Sequence, residues 1–154
     1  MTAPDFVPRN PDYAAATRAS FARQGLMAHL GIELACVEPG FVELQAAYRS
    51  ELTQQHGYFH GGVMGAMADS ACGYAAFSLT PPDSTVLTVE YKINMTAAGN
   101  GDRLIARGRV KRAGRTLIVT HGDVFAVAEG VETLCATMLQ TIMVLPATEA
   151  RPAG

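Results

Sequence analysis

Cysteine is scarce in this sequence, and its three cysteines form no recognisable group. Cys36, Cys72 and Cys135 lie far apart, and no C-x-x-C pair occurs in the 154 residues. An odd number of widely separated cysteines predicts neither a disulfide framework nor a zinc knuckle. We therefore expect a reduced, cytoplasmic protein without a metal site.

Charge is also scarce, and no stretch is apolar enough for a bilayer. Charged residues make up 17% of the chain and the formal net charge is −2, which argues against disorder and against generic nucleic-acid binding. No run of about 18 apolar residues occurs, and the first residues lack the basic and apolar regions of a signal peptide. The expectation is one unexported globular domain that binds neither nucleic acid nor membrane.

Turn residues divide the chain into helices and strands. Asn10-Pro11-Asp12 predicts a helix from Pro11 towards Gly25, after a flexible N-terminus over residues 1–10. Alternating apolar runs around Pro39-Gly40 predict a β-hairpin. The predicted elements of the domain, residues 11–146, are a further helical turn at Leu26–Leu30, hairpin strands Ile32–Glu38 and Phe41–Tyr48, a helix Gly61–Leu79, and antiparallel strands Thr85–Met95, Arg103–Arg112, Arg115–Ala128 and Thr133–Val144. Residues 147–154 are predicted to be a flexible tail.

The predicted central helix is apolar on every face, so we expect it to be buried nearly all round by one curved antiparallel sheet. Asp69 is the one ionisable residue within it. Because a buried lone carboxylate needs a partner or a chemical task, Asp69 is the leading candidate for a catalytic acid. The structural alternative is a carboxylate in a water-filled seam or bonded to a nearby backbone N–H.

The start of this helix, His60-Gly61-Gly62, predicts unhindered backbone N–H groups at the positive end of the helix dipole. Such groups favour a developing oxyanion, although a tight loop-to-helix junction is the structural alternative. Asp69 lies roughly 10–12 Å further along the axis at 1.5 Å per residue, too far to act on the same carbonyl. If both groups act, they come from different protomers.

Longer motifs resemble one known family. Gln54-Gln55-His56-Gly57-Tyr58-Phe59-His60-Gly61-Gly62-Val63, then Ala68-Asp69-Ser70-Ala71 and Gly73-Tyr74-Ala75, resemble the hotdog-fold thioesterases of the phenylacetate-degradation (PaaI-like) group. The resemblance covers roughly residues 25 to 145. It implies an α+β hotdog fold, with a long helix wrapped by a curved antiparallel sheet and an N-terminal helix before it. It also implies dimers that often stack as tetramers.

The same resemblance implies hydrolysis of an aryl- or short- to medium-chain acyl-CoA, with coenzyme A as part of the substrate and no separate cofactor. Asp69 would act as nucleophile or general base, Gly61 would supply an oxyanion amide, and Gln54 would place the acid or a water molecule. The remaining hypotheses concern individual residues. Gly62 would be a second amide donor, and His60 would orient the loop or assist the leaving group. Tyr58 and Phe59 would shape the acyl end, and Arg112 and Arg115 would contact the CoA phosphates.

Several alternatives stay open at this point. His56 and His60 are four residues apart, but a loop with Gly57 and no evident further ligand does not favour a metal pair. Arg107, Arg109 and Lys111 share one strand face, which is either solvated or in contact with CoA phosphates. A hotdog hydratase, with His60 as its histidine, and a non-catalytic acyl-CoA binder are the rival functions.

Overall fold

The computed structural model describes residues 6–146. The elements in chain order are α1 (Tyr13–Phe21), α2 (Gly25–Leu30), β1 (Ile32–Glu38), β2 (Phe41–Ala47), a short 3₁₀ turn (Ser50–Leu52), α3 (Gly61–Phe77), β3 (Thr85–Met95), β4 (Arg103–Ala113), β5 (Leu117–Ala128) and β6 (Val131–Leu145). The predicted tail 147–154 and the first five residues lie outside the described part.

The six strands form one antiparallel sheet in the order β1-β2-β4-β5-β6-β3, and the sheet wraps around α3. This is the hotdog fold that the sequence predicts, and the bounds predicted for β1 and β3 are confirmed. The bounds of the other strands, α2 and α3 shift by at most two residues. The predicted strand Arg115–Ala128 begins only at Leu117, because Gly114 and Leu117 close the β4–β5 turn with a backbone hydrogen bond of 3.0 Å.

The first helix is shorter than predicted. It begins at Tyr13 instead of Pro11, because the Asn10 side chain accepts a hydrogen bond from the Asp12 N–H at 2.9 Å and holds the preceding residues in a turn. It ends at Phe21, and the linker Ala22–Gln24 then leads into α2. Before α1, Phe6 packs against the core, so part of residues 6–10 is anchored on the domain.

Two paired glycines seat α3 on the sheet. Gly108 of β4 lies opposite Gly122 of β5, and both face the helix. A Cβ atom on Gly108 would stand 2.3 Å from the Ala71 carbonyl, and one on Gly122 would stand 2.7 Å from the Cys72 sulfur. Backbone therefore packs against backbone directly beside Asp69, as the small residues of the helix predict.

The expectation that α3 is buried nearly all round is wrong for the single chain. A stripe at helical spacing stays partly open to solvent, because the sheet covers only the other faces of the helix. The stripe comprises Gly62, Gly65, Ala66, Asp69, Ser70, Gly73 and Phe77. Asp69 therefore sits at the margin of the core and not inside an apolar cylinder.

Among residues 6–146, the longest helix has 17 residues, and none has the length and hydropathy needed to cross a bilayer. The helices instead serve the core of the domain. Apolar side chains of α3 pack against the inward faces of β2, β4, β5 and β6. This packing fixes the position of the helix that carries Asp69.

Candidate active site

One oxygen of the Asp69 carboxylate is held by two side chains of the sheet. The Thr88 hydroxyl donates to Asp69 Oδ1 at 2.7 Å, and the Gln140 amide donates to the same oxygen. The Gln140 amide is also 2.8 Å from the Thr88 hydroxyl oxygen. Among residues 6–146, Asp69 Oδ2 has no hydrogen-bond donor, so this oxygen is left to act on a ligand.

Gln140 is the most unusual of these groups because it is completely buried. It occupies an inward position of β6 between Met138 and Ile142, where apolar residues otherwise alternate. Its Oε1 atom is buried without a hydrogen-bond partner in the described residues. Since an unpaired buried carbonyl costs about 1–3 kcal/mol, the fold retains this amide at a cost, which is typical of functional sites.

Thr88 owes its position to an irregularity in β3. The strand pairs with β6 in a regular register up to Thr88, opposite Ile142, and resumes at Glu90, opposite Thr141. Val89 is therefore the extra residue of a β-bulge. Bulges often re-aim side chains beside active sites, and this one lies next to the hydroxyl that bonds Asp69.

Neither Thr88 nor Gln140 was predicted as a site residue. Threonine is common in strands, so Thr88 gave no signal. Gln140 did give one, because it is the single amide among the inward residues Ala136, Met138 and Ile142 of an alternating strand. A polar residue in such a place is the kind of exception that points to a function.

The amino end of α3 offers one free backbone amide. His60 is the N-cap, and its Nδ1 atom accepts a hydrogen bond from the Gly62 N–H at 2.8 Å. The Gly62 amide is thus engaged within its own chain, and its role as a second oxyanion donor stays a prediction that requires this bond to open. The Gly61 N–H has no acceptor within residues 6–146. His60 caps the helix, and its predicted role in orienting the loop or assisting the leaving group stays a prediction.

Gln54 orders the loop that precedes α3. Its side-chain oxygen accepts a hydrogen bond from the His56 N–H, and its backbone N–H donates to the Tyr58 carbonyl at 2.9 Å. The Tyr48 hydroxyl fastens the same loop through the Gly57 carbonyl at 3.2 Å. Within one chain the loop precedes the amino end of α3, whereas Asp69 lies about two turns further along the helix. A role for Gln54 beside the acid therefore stays a prediction.

Two cavities meet at Asp69. The first, about 390 Å³, lies between the α1–α2 linker, the carboxyl half of α3 and the start of β3. The second, about 640 Å³, follows the open stripe of α3 from Asp69 back to Gly61 and is bordered by Tyr91 and Met95 of β3. Gln24 borders both cavities, and its side-chain oxygen accepts a hydrogen bond from Ser70 at 3.4 Å.

Phe59 and Tyr58 differ in their surroundings. Phe59 is only 2% exposed and packs edge-on against Tyr48, with ring centroids 5.5 Å apart. It is a core residue and borders neither cavity at Asp69, so these cavities do not support the prediction that it shapes the acyl end. Tyr58 is 39% exposed. A contact between Tyr58 and a ligand stays a prediction.

The basic residues of β4 are mostly engaged on the outer face of the sheet. Arg107 bonds to Glu43 at 2.8 Å and to Glu132 at 2.6 Å, and its guanidinium lies over the Phe125 ring. Arg109 stacks on Phe41 at 4.2 Å. Arg107 and Arg109 are thus held by neighbours on this face, whereas Lys111 is exposed and a phosphate contact by it stays a prediction.

Arg112 and Arg115 are exposed near the β4–β5 turn. Arg115 borders a cavity of about 380 Å³ together with Arg9, whose guanidinium donates to the Gly114 carbonyl at 3.3 Å. Two cations thus share one end of the sheet. Contact of Arg112 or Arg115 with CoA phosphates stays a prediction.

The three cysteines and the histidines offer little further chemistry. Burial raises the pKa of Cys72 to about 12, so its thiol is protonated at neutral pH. Residues 6–146 contain no group of three His, Cys, Asp or Glu side chains arranged to hold a metal ion. The Asp69 carboxylate with its two donors is therefore the leading candidate for a reactive group.

A curved sheet around one helix, with a helix acid facing a cleft, defines a hotdog-type hydrolase. The sequence matches the thioesterase superfamily over residues 56–133, half of the chain, and the protein belongs to that family. It is a thioester hydrolase.

Individual relatives agree with this assignment. A thioesterase family protein from Silicibacter pomeroyi has 46% identity and a TM-score of 0.85, covering 87% of this chain and 98% of its own. A 1,4-dihydroxy-2-naphthoyl-CoA hydrolase from Listeria monocytogenes is 29% identical over 92 residues, 60% of this chain and 75% of its own length. The E. coli PaaI protein has 20% identity and a TM-score of 0.77, covering 88% of this chain and 94% of its own, which demonstrates likeness of fold.

Proposed function

We propose that the protein hydrolyses an acyl-CoA thioester to the free acid and coenzyme A, in a site that two copies of the chain share. Asp69 of one copy acts on a carbonyl whose oxygen is held by the Gly61 amide of the other. The observation that carries this proposal is the asymmetry of the Asp69 carboxylate. Thr88 and Gln140 hold one oxygen, the other has no hydrogen-bond donor among residues 6–146, and Asp69 borders both cavities.

The sharing of the site follows from helix geometry. Eight residues separate Gly61 from Asp69, which corresponds to about 12 Å along α3. A reacting carbon must lie about 3–3.5 Å from the attacking group, and the oxyanion donor must be equally near the carbonyl oxygen. Two antiparallel copies of α3 bring Asp69 of each copy to Gly61 of the other.

The surface of β3 supports a partner chain. This strand is the edge of the sheet, has 11 residues and contains no proline or glycine. It exposes Leu87, Val89, Tyr91 and Met95, each between 47% and 58%. Its charged residues Glu90 and Lys92 border a different cavity from Tyr91 and Met95, so the exposed apolar side chains of this edge strand are available to a partner chain beside the open stripe of α3.

A coenzyme A thioester suits this machinery because the thiolate is a good leaving group. Asp69 either attacks the carbonyl carbon to give an anhydride, which water then hydrolyses, or removes a proton from the water that attacks. In both routes the negative oxygen is stabilised by the Gly61 N–H, the C–S bond breaks and the CoA thiolate takes up a proton. The naphthoyl-CoA hydrolase among the relatives supports a CoA ester as substrate.

Release of free thiol from a panel of acyl-CoA esters tests the reaction. Asp69→Asn keeps the size of the side chain and removes the base, so we expect kcat to fall by about 10²- to 10⁴-fold. Asp123→Asn is the matched control, because Asp123 lies on β5 beside His121 and borders neither cavity at Asp69. A variant Asp69→Asn with the turnover of the wild type contradicts the mechanism.

Gly61→Pro tests the amide directly. Proline removes the N–H and is tolerated at the first position of a helix, and His60 already has the extended backbone, φ −68° and ψ 138°, that a following proline requires. Gly61→Ala retains the N–H and is the control; its Cβ would meet Met95 at an ordinary 3.4 Å. We expect only the proline variant to lose most of kcat.

Mixing the two inactive variants tests the sharing of the site. If the site spans two chains, half of randomly mixed dimers contain Asp69→Asn with Gly61→Pro and have one intact site of two, so about a quarter of the wild-type activity returns. Light scattering establishes that the chains associate. Mixed dimers without activity, or an active monomer, exclude a shared site.

A further inference from the structure

The smaller of the two cavities at Asp69 is lined by apolar residues on one side only. It extends from Asp69 and Thr88 along the carboxyl half of α3, and Phe77, Val86 and Ile142 provide its apolar side. The opposite side is polar and is formed by the α1–α2 region. An alkyl chain would make favourable apolar contacts with only one of these two sides.

Hydroxyl and amide groups line the polar side. The Ser20 hydroxyl lies 3.3 Å from the hydroxyl of Tyr74, whose side chain is only 6% exposed and is held edge-on by Phe21 and Phe77. Tyr74 follows Asp69 by five residues, about 7.5 Å along the axis. These groups therefore stand about one to two helical turns from the reacting carbon.

Arg23 is the one basic residue that borders this cavity. It lies in the linker between α1 and α2, and its guanidinium donates to the Ala19 carbonyl at 3.3 Å. Within residues 6–146 no carboxylate lies within 4 Å of it, whereas Arg107 binds two glutamates. The only acidic residue that borders the cavity is Asp69, at its other end.

We infer that this cavity receives the acyl group and that Arg23 selects acyl groups that end in a carboxylate. The substrate class is thus the CoA monothioester of a dicarboxylic acid, an assignment that rests on the function proposed above. The guanidinium fork matches a carboxylate in two hydrogen bonds, and the methylene groups of such an acyl chain pack against Phe77 and Val86.

The polar wall also disfavours the alternative. An alkyl end placed beside Arg23 would remove water from a guanidinium whose one protein bond is to the Ala19 carbonyl, and burying a charge without a matching partner is costly. Sites built for hydrogen bonds reject analogues that lack the bonding group more strongly than apolar pockets reject an added one. The cavity therefore discriminates by the end group and not by chain length alone.

Matched substrates test this inference. Adipyl-CoA and hexanoyl-CoA have the same six-carbon chain and the same CoA, and differ in the terminal carboxylate. We expect kcat/KM to favour adipyl-CoA, and Arg23→Gln to reduce this preference by about tenfold to a hundredfold through a loss on adipyl-CoA that hexanoyl-CoA does not share. Arg18→Gln is the control, because Arg18 lies on the same helix but bonds the Leu34 carbonyl at 3.5 Å and borders neither cavity at Asp69.

The outcomes separate this inference from the function it rests on. An equal loss on both substrates in Arg23→Gln means that Arg23 binds the shared CoA moiety, and a wild-type preference for hexanoyl-CoA means that the end group is not recognised; either result overturns the inference. If neither ester releases thiol, the proposed hydrolysis fails. Calorimetric affinities of the two esters for Asp69→Asn then still measure end-group selection, and equal affinities overturn it.

Discussion

Replacing Gln140 by leucine is the change that best separates stability from catalysis in this protein. The side chain donates to Asp69 Oδ1 and to Thr88 from a fully buried position, while its own Oε1 has no partner among the described residues. Leucine has a similar volume and no polar atoms. Gln140→Leu therefore removes a donor to the acid and an unpaired acceptor in one step.

The expected effect on stability is small because two terms oppose each other. Loss of a hydrogen bond to a charged group costs about 1.5–3 kcal/mol, and removal of a buried unpaired carbonyl returns about 1–3 kcal/mol. Asp69 and Thr88 keep their mutual bond of 2.7 Å and face a cavity that admits water. We expect the free energy of unfolding to change by no more than about 1 kcal/mol.

The expected effect on catalysis is large because nothing compensates it. If the amide holds the carboxylate in its reactive orientation, the full 1.5–3 kcal/mol appears in the barrier, which corresponds to about a 10- to 150-fold lower kcat. KM changes little, since Gln140 is buried beneath the acid and away from the ligand. Combining it with Thr88→Val gives a loss that differs from the sum of the single losses, because both residues hold the same oxygen.

Urea unfolding and initial rates of thiol release measure the two quantities. Thr120→Val is the matched control: the Thr120 hydroxyl is buried and lies 3.4 Å from the Gln140 backbone carbonyl, but it does not contact Asp69. A stable Gln140→Leu protein with wild-type kcat would falsify the idea that this amide positions the acid. If Thr120→Val lowers kcat as much as Gln140→Leu does, the loss comes from a general disturbance of the strands and not from the missing amide.

Three further predictions follow from packing and charge. Gly108→Ala should destabilise the fold by about 1–3 kcal/mol or more in urea unfolding, because the added carbon meets Ala71 backbone at 2.3 Å; an unchanged midpoint refutes the tight seat. Burial raises the pKa of Cys72 to about 12, so a disulfide reagent at pH 8 should leave Cys72 unmodified until denaturant is added; rapid native labelling contradicts its burial. Arg107 holds the pKa of Glu132 below its ordinary 4.5, so this carboxylate stabilises the fold above pH 4.5 and the contribution is lost as pH falls through the lowered value. Glu132→Gln should therefore lower the Tm slightly at pH 7 but not at low pH. Because the pair is exposed, the loss of unfolding free energy at pH 7 should be less than about 1 kcal/mol. An equal difference in Tm at both pH values opposes this assignment.

Local sequence signals account for most of the fold. The strand Thr85–Met95 is bounded by prolines before it and an Ala-Ala-Gly-Asn-Gly turn after it, so both ends are predicted without error. The predicted start of α1 is two residues too early, because a hydrogen bond to the Asn10 side chain competes with the helix. Such local competition is decided by fractions of a kcal/mol.

The site was only half predictable, because its parts come from distant segments. Asp69 stands out as a lone charge in an apolar helix, yet its partners lie 19 and 71 residues further along the chain. Periodicity identifies Gln140 as an inward polar residue but cannot reveal which helix residue it faces. The degree of burial of Asp69 is a property of three-dimensional coverage, and the open stripe of α3 appears only once the sheet is closed around it.

The paired glycines Gly108 and Gly122 have a consequence for how such a protein can diverge. They set the distance between α3 and the sheet, because Gly108 lets the strand meet the main chain at Ala71 and Gly122 leaves room for the Cys72 sulfur, and neither contact involves the walls of the cavity. The walls of the cavity, in contrast, are built from the side chains of the α1–α2 linker and the start of β3. Substrate preference can therefore change through Arg23 or Ser20 while the reactive carboxylate stays where it is, so the chemistry and the choice of acyl group are free to evolve separately.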